Sequence, residues 1–177
     1  LGGDCSAITR PGQFVNIALD GLYLRRPISV CDCRGDELTI IYKVVGHGTA
    51  QMSRMAPGER LDILSGLGNG YDLSLLLGGG VGVPPLYWLA RRLCEEGRHV
   101  TAVLGFNRAD EIFYERELRE LGADVIVTTV DGSYGVRGFV TDAMGSLDYT
   151  YFYTCGPEPM LRAVYGAART EGELSFE

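Results

Sequence analysis

The 177-residue chain has no apolar run near the roughly 20 residues a membrane span needs, and its start, LGGDCSAITRPG, lacks a basic segment followed by an apolar one. Nothing in it directs export, so a cytoplasmic protein with no membrane contact is expected. A cationic surplus is also missing: 16 Lys and Arg stand against 23 Asp and Glu, a formal charge of −7. No nucleic-acid partner is expected, because phosphate-backbone binding rests on clustered Lys and Arg. Cysteine is sparse and scattered, at positions 5, 31, 33, 94 and 155, an odd set that suggests no disulfide framework. Cys31 and Cys33 are two apart in an extended segment and would face one side of a strand. They read as small apolar strand residues rather than a metal half-site, since paired zinc ligands have wider spacing and need further ligands nearby.

What the chain does have is glycine, 25 residues, about twice the usual share of roughly 7%. With 46% hydrophobic residues and 10% aromatics, it can bury a core. From residue 13 to 62 the pattern is short and β-like: QFVNIAL, PISVC, ELTIIYKVV and RLDIL, separated by LDGLYLRR, DCRGD and APGE. A small antiparallel barrel or sandwich is predicted, with a helical turn near 50–55. After residue 70 the grammar changes. Strands are predicted at 73–77, 99–106, 124–130 and 149–154. Helices are predicted at 85–96, 110–121, 139–144 and 160–168, the first carrying Leu86, Leu89, Ala90 and Leu93 on one face. Strands alternating with helices imply a doubly wound parallel sheet. A boundary is therefore expected near 69–72, with a β domain over 1–70 and an α/β domain over 71–177.

Ligands of open parallel sheets sit beyond the carboxyl ends of the strands. The four segments there are GGGVGVPP, GFNRADE, DGSYGVRG and CGPEPM. In the first, Gly78, Gly79, Gly80, Val81 and Gly82 bring backbone N–H groups and a helix start toward an anion, although a tight structural turn looks the same when read alone. Pro85 stands where the usual fingerprint has a third glycine, and proline suits a first helical turn. In the fourth, a strand ends at Cys155 and passes directly into Gly156 and Pro157. That thiol lies against a flat ring over the sheet edge or is buried without a task, and no histidine is evident to make it a nucleophile.

Taken together, Gly80-Val81-Gly82-Val83-Pro84-Pro85 and Cys155-Gly156-Pro157 resemble the G-x-G-x-x-P and C-G-P motifs of the ferredoxin-NADP reductase superfamily. Arg26-Pro27-Ile28-Ser29 is similar to its R-x-x-S/T flavin motif, and Gly46-His47-Gly48-Thr49 to its second flavin segment. Within the superfamily, PGQFV, LRRPIS, GLGNGY, GGGVGVPPLY, DGSYGVRGFVTD and CGPEPML resemble the electron-transfer subunits of bacterial NAD-dependent dihydroorotate dehydrogenase. The resemblance runs from end to end of the chain.

It implies an antiparallel FAD-binding β-barrel of ferredoxin reductase type followed by an NAD-binding α/β domain. Arg26 would pair with the FAD pyrophosphate; Pro27, Ile28 and Ser29 would run along the flavin ring. Ile41, Tyr42 and Lys43 would contact FAD from the next strand, and Gly48 and Thr49 would offer N–H and hydroxyl groups to the pyrophosphate. Gly78 to Gly82 would hold the pyrophosphate of NAD. Cys155 and Gly156 would border the nicotinamide, which gives Cys155 the catalytic position. Asp131 would bond ribose hydroxyls and repel a 2′-phosphate, with Arg108 and Arg137 as nearby cations that favour one. The partner implied is an FMN-containing dihydroorotate dehydrogenase catalytic subunit, in a heterotetramer serving pyrimidine biosynthesis. A [2Fe-2S] cluster is implied for the full-length protein only: no C-x₄-C-x₂-C run is present, and the family's first barrel strand would precede Leu1. Two rivals are a subunit of NADH-dependent ferredoxin-NADP reductase or sulfide dehydrogenase, which shares the D-G-S-Y-G loop, and a non-catalytic nucleotide-binding module.

Overall fold

A computed structural model describes residues 1–68, 75–147, 149 and 152–171. The chain divides into two compact units, Leu1–Tyr71 and Asp72–Glu177. The expected boundary at 69–72 lies outside the described residues.

In the first unit, β1 (Phe14–Leu19) buries Val15, Ile17 and Leu19 and leaves the alternate residues half-buried, the period-two signature of a strand with one face on a core. β2 (Leu22–Arg34) pairs antiparallel with β1 along its first part and with β3 (Glu37–Ile40) along its last. β4 (Asp62–Leu67) lies on the other side of β1, giving the order β3-β2-β1-β4. The expected closed barrel or sandwich is not what these residues form. β4 pairs with β1 alone among the described residues, and β3 adds to its pairing with β2 only a single bridge from Glu37 to Gly2, so the described ladder stays an open sheet.

Three local expectations also change. LYLRR is strand, not turn, because Asp20-Gly21 alone makes the two-residue hairpin between Leu19 and Leu22. α1 (His47–Met52) begins three residues before the predicted helical turn. Ile41, Tyr42 and Lys43 follow β3 in irregular backbone rather than lying on a strand. A register shift between Val30 and Asp32 accounts for that, since a bulge bends the strand and ends pairing early. The same bulge buries Val30, Cys31 and Asp32 in succession, with Cys33 half-buried, which interrupts the alternation assumed for the two cysteines.

The second unit is a five-stranded parallel sheet in the order β8-β7-β6-β5-β9. Its strands are β5 (Leu75–Gly79), β6 (Thr101–Phe106), β7 (Asp124–Thr129), β8 (Val136–Arg137) and β9 (Phe152–Cys155). Its helices are α2 (Val83–Glu95), α3 (Glu115–Glu120), α4 (Val140–Met144) and α5 (Glu158–Glu171). α2 buries Leu86, Leu89, Ala90 and Leu93 as its periodicity predicts, each leucine contributing about 1.5–3 kcal/mol. Pro84 and Pro85 occupy its first turn, where a missing N–H leaves no helical bond unmade. On one face Leu77 and Val103 pack with Val140, Ala143 and Met144 of α4 and with Val164 and Ala168 of α5.

α3 is shorter than the 110–121 helix predicted, because Tyr114 takes a left-handed φ of 64° immediately before it. That conformation is held by ring packing: Tyr114 meets Tyr87 edge-on at 4.7 Å, and Phe113 meets Phe106 at 5.5 Å. The short β8 is an addition that two residues of sequence do not announce. Strands β6, β7 and β8 extend the sheet to one side of β5, and β9 returns to its other side. The topological switch point therefore lies between β5 and β9. Among the described residues no helix is long and apolar enough to cross a membrane.

Candidate functional site

The switch point brings together two segments that lie more than seventy residues apart in sequence. Gly78 pairs with Cys155 across β5 and β9, and the turn Gly80–Gly82 leads from β5 into α2. Strand alternation sends the two glycines of β5 to opposite faces. A Cβ on Gly78 would stand 2.9 Å from Val83 Cγ2 of α2, whereas one on Gly79 would run into Met160 Sδ of α5. A Cβ on Gly82 would overlap the Cys155 carbonyl and lie 2.7 Å from Gly156 N. These three positions are glycine because protein packs against them. Gly80 is different: its φ is +51° and nothing lies within 4 Å of the Cβ position. With the half-exposed Val81 beside it, it forms the open side of the turn, the side on which N–H groups can meet a phosphate. The turn is thus open to an anionic ligand such as a dinucleotide pyrophosphate.

Cys155 is half-buried, and desolvation pushes its thiol above the ordinary thiol range. At neutral pH it is a neutral, polarisable group and not a thiolate nucleophile. Beyond β7, the Ser133 hydroxyl donates to Asp131 Oδ1 at 2.6 Å and the Ser133 N–H donates to the same oxygen at 2.9 Å. These bonds, with a smaller effect of Arg108, hold the Asp131 carboxyl below the usual carboxylate range. Ser133 Oγ also accepts the Ala109 N–H at 2.8 Å, and Asn107 O accepts the Asp131 N–H at 3.2 Å. The loops after β6 and β7 are thus stitched together. Arg108 pairs with Asp110 at 2.8 Å, and the Arg137 stem lies over Gly132. Ser133 is a residue that the sequence motifs do not single out, although D-x-S is a recognisable Asx-turn pattern.

In the first unit Arg26 and Gly48 come together. A Cβ on Gly48 would strike the Arg26 guanidinium, which also donates to Leu24 O. The adjacent Arg25 makes a two-pronged pair with Asp62, 2.8 and 3.1 Å, which lowers the Asp62 pKa through that hydrogen bond. No carboxylate among the described residues pairs with Arg26, so its guanidinium suits an anionic group such as a flavin pyrophosphate. Pro27 is exposed on β2, with Ile28 and Ser29 half-buried beside it. The buried Thr49 spends its hydroxyl locally, accepting from Val45 N–H at 3.0 Å and Gly46 N–H at 3.3 Å. That hydroxyl, which also donates to Gly46 O at 3.2 Å, is spent within the turn rather than offered to a ligand. Ile41, Tyr42 and Lys43 are half-buried, half-buried and exposed, respectively.

A parallel sheet with a glycine turn at its switch point, facing a Cys-Gly-Pro strand end, defines a nucleotide-binding oxidoreductase domain. Residues 76–165 match the family model of the oxidoreductase NAD-binding domain. A relative from Fusobacterium nucleatum, dihydroorotate dehydrogenase B (NAD(+)), electron transfer subunit, is 45% identical over 186 residues, covering 94% of this chain and 71% of the relative. One of the same name from Geobacillus sp. is 46% identical over 169 residues, covering 87% of this chain and 65% of the relative. The chain belongs to this family of electron transfer subunits, and it spans about two thirds of the length of those relatives. Among solved structures, an NADH-dependent reduced ferredoxin-NADP oxidoreductase described for flavin-based electron bifurcation matches with TM-score 0.82 and 35% identity, over 91% of this chain and 62% of that one. The FAD/NAD-binding domain of nitric oxide dioxygenase from Vibrio cholerae matches with TM-score 0.78 at 22% identity, over 93% and 81% of the two chains, and shows the fold.

Proposed function

We propose that the first unit carries FAD, that the second carries NAD, and that the chain passes electrons between a dihydroorotate dehydrogenase catalytic subunit and NAD. The observation that carries this reading is the 45% identity, over nearly the whole chain, to a subunit named for that transfer. Arg26, seated on Gly48, neutralises the flavin pyrophosphate, and Pro27, Ile28 and Ser29 line the ring. The N–H groups around Gly80 and Val81 hold the NAD pyrophosphate, Asp131 bonds the ribose, and Cys155 with Gly156 borders the nicotinamide. Bound FAD supplies the capacity to accept electrons singly and to exchange a hydride pair with nicotinamide. The residues of this chain contribute placement, which is what hydride transfer needs most.

A [2Fe-2S] cluster does not fit the residues present: no group of three His, Cys, Asp or Glu gathers among the described residues, and the five cysteines offer no C-x₄-C-x₂-C run. A cluster of the full-length subunit, an FMN group on the catalytic partner, a heterotetrameric assembly and a cytoplasmic location complete this reading. A second reading keeps both nucleotides and replaces the partner, as the 35% identity to the ferredoxin-NADP oxidoreductase suggests. Mixing the full-length subunit with a dihydroorotate-oxidising catalytic subunit from the same organism separates the two. Dihydroorotate-dependent reduction of NAD⁺ that needs both proteins is expected. Failure of the pair to do so, with NADH oxidation coupled to ferredoxin instead, would establish the second reading.

A further inference from the structure

Gly79 and Gly156 share an unusual feature: neither has a backbone φ that an L side chain would resist, yet neither has room for one. What fills the room in both cases is the same side chain. A Cβ on Gly79 would collide with Met160 Sδ, and one on Gly156 would lie 2.7 Å from Met160 Cε and 3.0 Å from Sδ. The Gly156 Cβ position is also 3.4 Å from the Gly79 Cα, so the two backbones lie against each other with the thioether across both. Met160 itself stands in the first turn of α5 and packs, partly buried, against the core cluster that includes Leu77, Val140 and Val164. Methionine suits this seat, because an unbranched thioether can enter a slot between two backbones that a β-branched side chain cannot.

We propose that Met160 is a positioning residue: its thioether, wedged between Gly79 and Gly156, fixes the anion-binding turn against the strand end that carries Cys155. The role rests on the reading of this switch point as the NAD site. Movement of either glycine would shift the pyrophosphate turn relative to the thiol. Displacements of about 1 Å cost on the order of 10²-fold in rate where alignment governs hydride transfer.

The geometry dictates a pattern of compensation that a merely stabilising methionine would not give. In the FAD-loaded full-length protein, Met160→Ala is expected to weaken NAD⁺ binding about tenfold and to slow NADH-dependent flavin reduction further, with flavin content unchanged. Met160→Leu, which refills the slot, should restore most of the affinity. Gly79→Ala and Gly156→Ala should each impair NAD⁺ binding and lower Tm, and each should recover part of both losses when combined with Met160→Ala. Gly82→Ala, which meets the Cys155 backbone instead, should gain nothing from Met160→Ala. Wild-type NAD⁺ affinity in Met160→Ala, or losses that merely add in the double variants, would overturn the role while leaving the NAD site intact. A wild-type protein that binds no NAD⁺ would overturn the site reading and this role with it.

Discussion

Cys155 is the residue whose chemistry is most open to direct test. Its half-buried place at the end of β9 raises the thiol pKa by desolvation, so the proton stays on throughout the neutral range. Below the ordinary thiol pKa, folded and unfolded chains then bind the same proton; stability is lost only as pH rises from there through the folded value. Peptide-resolved alkylation with iodoacetamide should show Cys155 reacting slowly, with its rate rising at a higher pH than that of a model thiol. A rate that climbs below the model thiol's would mean a thiolate, and a nucleophile's role. In the same region, Cys155→Ala is expected to slow NADH-dependent flavin reduction more than it weakens FAD binding. An unchanged rate would remove the thiol from the nicotinamide site.

At the scale of elements, the two arginines that open the β2 motif part company. Arg25 is consumed by Asp62 of β4, whereas Arg26 is held by Gly48 of α1 with no carboxylate partner among the described residues. Arg26→Ala should weaken FAD binding by about 2 kcal/mol, roughly thirtyfold in Kd. Arg25→Ala should leave FAD affinity nearly unchanged, because an exposed ion pair contributes little to stability and nothing to the ligand. Isothermal titration of the apoprotein with FAD distinguishes them, and equal losses would contradict the division of labour. Helix α2 and strands β5 to β7 were legible because burial imposes a period on sequence, as at Leu86, Leu89, Ala90 and Leu93. The strand end at Ile40 was not, since it depends on a bulge in the neighbouring β2. Nor was the reason for each glycine. GGGVG reads as five equivalent positions for a phosphate, but contacts from Val83 on Gly78, and from the sequence-distant Met160 on Gly79 and Cys155 on Gly82, separate the glycines packed by protein from Gly80, which is left open.

For the whole molecule, the two units place chemistry of different kinds in different settings: a fixed guanidinium on an antiparallel sheet, and an open glycine turn on a parallel one. Among the described residues neither site gathers an acid–base pair, which suits a protein whose task is to hold two nucleotides and not to move protons. Family membership with relatives named as electron transfer subunits makes the exchange between those nucleotides the central claim. The most direct measurement is anaerobic addition of NADH to the purified full-length subunit while its visible flavin absorbance is followed. The account predicts a yellow protein whose flavin bleaches rapidly with NADH and much more slowly with NADPH. A colourless protein that takes up no FAD, or a bound flavin that NADH leaves oxidised, would contradict it.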